Sequence, residues 1–128
     1  MADEQHIALL RRCVEEWNRW RDENPQAVPD LAGAGLRGLD LSGANLAGAE
    51  LTGADLRGTI LKGSSLTGTA LAAANLFKAL LDGADLDGTD LRGVHFLDCA
   101  RMTAARNWQR AHRDADLGCG APIPPHPG

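Results

Sequence analysis

The chain has 128 residues, of which 44% are hydrophobic and 4% aromatic, enough for one domain and no more. Its formal net charge of −4 gives no electrostatic reason to bind nucleic acid directly. No apolar run approaches the ~18 residues that span a bilayer, residues 1–6 lack the marks of a signal peptide, and three cysteines without motif spacing fit a reducing compartment better than a disulfide framework. The expectation is a cytoplasmic protein without membrane contact.

Residues 3–23 read as a helix. At 100° per residue, Ile7, Leu9, Leu10, Cys13, Val14, Trp17 and Trp20 share one arc, and Arg11, Arg12, Glu15, Glu16 and Arg19 take the other side. Asp3 is the expected N-cap and Pro25 ends the segment. Residues 1–24 are therefore read as a capping helix, with a partner-binding helix as the alternative.

From Leu31 to Leu91, leucine recurs every fifth residue thirteen times, and Phe96 adds a fourteenth beat. Neither a helix nor a plain strand has that period; a short fixed repeat marks a solenoid. Two positions before each leucine the residue is mostly small (Ala44, Ala54, Thr59, Ser64), with Leu39 and Val94 as exceptions, and a mostly polar residue lies between. These three alternate in, out, in, as a short strand does. The second residue after the leucine is glycine in eleven units. It falls at the third position of a four-residue turn, where a type II turn requires φ > 0. Ala73, Lys78 and Asp98 break the pattern and predict other turn types. One side and one corner per unit close a square coil of 20 residues. Coils stacked ~4.8 Å apart over residues 25–100 then make a shaft only ~17 Å long.

The units Ala44-Asn45-Leu46, Ala54-Asp55-Leu56, Ala74-Asn75-Leu76 and Ala84-Asp85-Leu86 resemble the A-(D/N)-L-x-x signature of the pentapeptide-repeat proteins. The resemblance covers residues 30–98. It implies an all-β solenoid, a right-handed quadrilateral parallel β-helix, here of about three and a half coils. The stretch from Trp17 to Leu31 is also similar to the lead-in of some bacterial members.

Beyond residue 100 the phase fails, because the next beats are Arg101 and Arg106, which cannot join a leucine ladder unpaired. Residues 102–116 read as a shorter helix with Met102, Ala105, Trp108, Ala111 and Ala115 on one face, so 101–117 is expected to be a C-terminal helical cap. Residues 118–128 read as a flexible Gly/Pro tail.

No constellation of side chains assembles an active site, a cofactor site or a metal site, and an enzyme is not expected. His95, Asp98 and Cys99 are near neighbours, but His95 points outward and Cys99 falls at a small inward position, which favours a buried structural thiol. His95, Cys99, His112 and Cys119 have no metal-ligand spacing. The inward hydroxyls of Thr59, Ser64 and Thr69 are expected to donate to backbone carbonyls.

The outer surface says more, because residues 20 apart stack. One outward column reads Arg37, Arg57, Phe77, Leu97; its neighbour reads Asp40, Ile60, Leu80, Ala100. Ile60, Phe77, Leu80 and Leu97 should therefore cluster as an apolar patch. It is either covered by the C-terminal helix or open to a second copy of the chain or another protein. The expected function is a non-catalytic scaffold for protein–protein interaction. The resemblance implies one alternative, a DNA-mimicking modulator of a type II topoisomerase (gyrase) with quinolone-resistance-like activity. Against it, one turn of B-DNA is ~34 Å, and residues 30–98 hold nine acids against five bases.

Overall fold

All five backbone N–H groups of a repeat unit find acceptors, and the pattern sets the shape. In Asp55–Thr59, Asp55 donates to Ala34 O (2.9 Å) on the preceding coil, and Leu56 and Gly58 donate to Asn75 O (3.0 Å) and Phe77 O (2.8 Å) on the next. Thr59 closes the corner on Leu56 O (3.1 Å). Arg57 N–H donates to the Asp55 carboxylate (3.2 Å). Buried backbone groups are thereby satisfied without a long strand. The computed structural model describes residues 2–125.

Parallel bridges join residues 20 apart, from Asp30 with Glu50 to Asn75 with His95. The three-residue strands expected from the alternation appear instead as isolated bridges centred on the outward residue. The corners on either side divert the flanking peptide groups. The thirteen leucines of the ladder are 0–1% exposed. Thr59, Ser64 and Thr69 donate to the carbonyls of Leu36, Leu61 and Leu46 (2.7–2.8 Å), as expected, and Thr89 does the same to Leu66.

The corner glycines have φ between +64° and +73°. Ala73 and Lys78 were expected to turn differently, yet both adopt φ +59°, and their corners keep the bonds Ala74 N–H to Leu71 O and Ala79 N–H to Leu76 O, both 3.0 Å. Stacking explains the first: Gly53 below and Arg92 above hold the 72–73 peptide groups in register (2.9 and 3.1 Å). Asp98 does depart from the pattern; at φ −119° it caps a helix, its carboxylate accepting from Arg101 N–H.

The single N-terminal helix is corrected to two, α1 (Glu4–Arg12) and α2 (Val14–Glu23), separated by extended backbone at Cys13. The break lets them address different sides of the first coil. Arg11 of α1 donates to Gly35 O, while Asn18, Trp17 and Arg21 of α2 donate to the carbonyls of Gly43, Asn45 and Ala47. Leu10 and Trp17 are both fully buried. Asp3 is the N-cap of α1, as read.

The C-terminal helix over 102–116 is also corrected. Only α3 (Cys99–Thr103) is α-helical there, followed by 3-10 turns at Trp108–Arg110 and Ala115–Leu117. The chain goes on pairing with the preceding coil, Asp85 with Arg106 and Asp90 with His112; these residues lie 21 and 22 apart, so the 20-residue register is lost. Met102, Ala105, Ala111 and Leu117 supply the inward side chains. Arg101 and Arg106 stay out of the ladder by donating to the carbonyls of Leu76, Ala79 and Gly83. Phe96 is no fourteenth rung. Its backbone has φ +62° and its side chain is 65% exposed, because the left-handed turn breaks the in–out alternation.

Cys99 is not a buried free thiol: it forms a disulfide with Cys119. That bond removes one support for a reducing, cytoplasmic setting. It also ties down the start of the segment read as a flexible tail, as does buried Arg113, which donates to the carbonyls of Leu117, Gly118 and Pro122. Residues 126–128 of that tail, and Met1, lie outside the described residues.

Candidate interaction surface

The bridge of Ile60 with Leu80 has no successor on its side of the coil among the described residues. The position above Leu80 belongs to α3, so the chain steps off the coil at that side. A cleft of about 560 Å³ opens there, lined by Phe77, Lys78, Leu80, Phe96, Leu97, Asp98 and Arg101. Phe77 is 46% exposed and meets Phe96 edge-on at 5.5 Å between centroids. Such a geometry suits two rings held together by packing.

Of the four residues read as a patch, Phe77, Leu80 and Leu97 line one cleft. Ile60 lies beneath, as the bridge partner of Leu80. Phe96 was read as core and is instead the most exposed ring of the surface. Its one signal in the sequence was position, at the end of a phase with no glycine two residues on. α3 contributes Arg101 to the wall but leaves Phe77 open.

A second hollow of about 330 Å³ adjoins the other side of Phe77 and is lined by Arg37, Gly38, Arg57, Gly58, Phe77 and Lys78. Arg57 forks onto Asp55 with bonds of 2.8 and 2.7 Å, and this bonding holds the Asp55 carboxyl down at about 2. The Lys78 ammonium lies over the Phe77 ring at 5.3 Å. The surface thus grades from apolar to cationic along one column.

Other polar side chains of the repeat are engaged locally. Asp30, Asp40, Asn45, Glu50, Asn75, Asp85 and Asp90 each accept the backbone N–H two residues on, as Asp55 does. This is a turn-stabilising role. Exposed His95 stands by Phe96. Among the described residues no group of three or more His, Cys, Asp or Glu could hold a metal ion, and no helix is long and apolar enough to cross a membrane.

A family model described as pentapeptide repeats matches residues 30–63 and 70–100, with eight copies. Among solved structures, the chain is similar to a pentapeptide repeat protein of the Arabidopsis thaliana thylakoid lumen, at 28% identity and a TM-score of 0.53, over 59% of this chain and 52% of that one. It also matches HetL, a pentapeptide repeat protein of the cyanobacterium Nostoc involved in heterocyst differentiation regulation, at 28% identity over 64% of this chain and 41% of that one, with a TM-score of 0.30. A third match is a pentapeptide repeat protein of the cyanobacterium Cyanothece, at 26% identity over 71% and 65%, with a TM-score of 0.33. The chain spans about half the length of the first of these. No curated protein sequence matches it.

Proposed function

Because the chain belongs to the pentapeptide-repeat family, whose members form right-handed β-helices, we propose that it is a non-catalytic scaffold that holds one face ready for another protein. In this reading the scaffold has about three and a half coils. The bonds of α1 and α2 to residues 35–47 support an N-terminal cap, and the pairing of Arg106 and His112 supports a C-terminal one. The single observation that carries the functional reading is the open cleft of Phe77, Leu80, Phe96 and Leu97. Apolar surface left clustered and exposed on a soluble scaffold marks a contact, and aromatic anchors are the residue type that contacts use. The DNA-mimic alternative calls for an acidic rod, whereas Arg37, Arg57 and Lys78 line this face.

A photo-crosslinking phenylalanine analogue placed at position 77, in cells that express the chain natively, tests this. A discrete protein adduct at 77, absent when the analogue sits at exposed Thr52 and lost on adding Leu80→Asp, is the expected result. Identical adducts from both positions, or none from 77, would remove the contact reading.

A further inference from the structure

We propose that the occupant of this face is a short extended peptide segment carrying an acidic residue at one end and a large apolar side chain at the other. This rests on the scaffold reading and names the partner's chemistry. The apolar cleft and the cationic hollow share Phe77 and Lys78, so they form one groove rather than two sites. It runs along the column Arg37, Arg57, Phe77, Leu97, whose members lie on successive coils. At ~4.8 Å per coil the column is ~15 Å long, room for about five extended residues at ~3.3 Å each.

Charge selects the peptide. The molecule as a whole carries −4, yet the hollow is lined by three cations and no acid. Arg57 is already forked onto Asp55, whose carboxylate also feels the charge of Arg37; Arg37 and Lys78, neither of them in an ion pair within 4 Å among the described residues, are the charges that a ligand carboxylate meets. In the cleft the one acid is Asp98, paired with Arg101 at 3.7 Å. Arg101 is further held by the carbonyls of Leu76 and Ala79, so it shapes the wall and is not free for a ligand. At the other end, Phe77 and Phe96 frame an apolar slot that suits a leucine or aromatic side chain. Opposite charge along such a groove sets direction and rejects basic sequences.

Fluorescence anisotropy with labelled Asp-Glu-Gly-Leu-Phe and its reverse, Phe-Leu-Gly-Glu-Asp, against the whole chain provides the test. One of the two is expected to bind saturably below about 1 mM. Affinity should fall about tenfold with Phe77→Ala, about tenfold with Arg37→Glu/Lys78→Glu, and steeply between about 50 mM and about 500 mM NaCl. Lys-Lys-Gly-Leu-Phe should bind at least tenfold more weakly. Circular dichroism of each variant confirms that it folds; if Phe77→Ala does not, the charge-reversed pair decides. No saturable binding, equal binding of the basic peptide, or a homodimer that Phe77→Asp dissociates would overturn the proposal. A position-77 adduct without peptide binding would overturn it while leaving the scaffold reading in place.

Discussion

Asp55 shows how much one repeat residue does. Its carboxylate accepts the Arg57 N–H and the Arg57 guanidinium together, which holds its carboxyl down at about 2. A depressed carboxyl stabilises the fold above its unfolded value near ~3.9 and stops doing so as pH falls toward 2. Asp40 and Asp85 are lowered in the same direction, by Ser42 and by Asn107. Asp55→Asn keeps the acceptor for Arg57 N–H and removes the ion pair. Urea unfolding at about pH 7 and about pH 3 should therefore show a smaller acid loss than in the parent chain; an unchanged loss would exclude Asp55 as its source. Ala73 makes a second residue-scale test. A left-handed alanine is strained by about 1–2 kcal/mol, so Ala73→Gly should raise unfolding stability by about 1 kcal/mol. Gly53→Ala should lower it by a similar amount, although a Cβ at Gly53 meets nothing within 4 Å.

At the scale of elements, the ends are where sequence pattern and structure part. The five-residue period is local: each leucine, small residue and corner glycine reports its own place, and so the coil could be read directly. The helix ends could not. The 100° periodicity of residues 3–23 holds across Cys13 because Leu10 and Trp17 both remain inward, so the break between α1 and α2 leaves no trace in it. Beyond Phe96 the stabilising contacts are long-range. The Cys99–Cys119 bond spans 20 residues, and Arg113 is buried among carbonyls with Trp108 stacked on its guanidinium at 5.3 Å. Neither has a local signature, which is why a plain helix was read there. Cys99→Ser/Cys119→Ser should cost about 3 kcal/mol by the loop-closure account, seen as a difference between oxidised and reduced denaturation curves that the variant abolishes. Arg113→Met leaves those carbonyls without donors. Hydrogen exchange should then rise in residues 105–122 and stay unchanged across 30–90, because solenoid units couple mainly to their neighbours.

Over the whole molecule, the fold and the proposed contact face use opposite sides of the same units. The leucine ladder faces in and supplies the stability; the groove faces out at the side where the chain leaves its coil. All four patch residues were legible from two neighbouring 20-residue columns, and three of them, Phe77, Leu80 and Leu97, line the cleft. The fifth contributor, Phe96, was not, because its exposure depends on a backbone turn that no period encodes. Leu76 and Phe77 are adjacent in sequence, the first fully buried and the second 46% exposed, so they separate the two roles most directly. The measurement is the denaturant unfolding free energy of Leu76→Ala and Phe77→Asp beside the parent chain. Leu76→Ala should lose about 2–5 kcal/mol by opening the ladder, and Phe77→Asp less than about 1 kcal/mol. Equal losses would contradict the account, because Phe77 would then belong to the core of the fold rather than to a face held open for a partner.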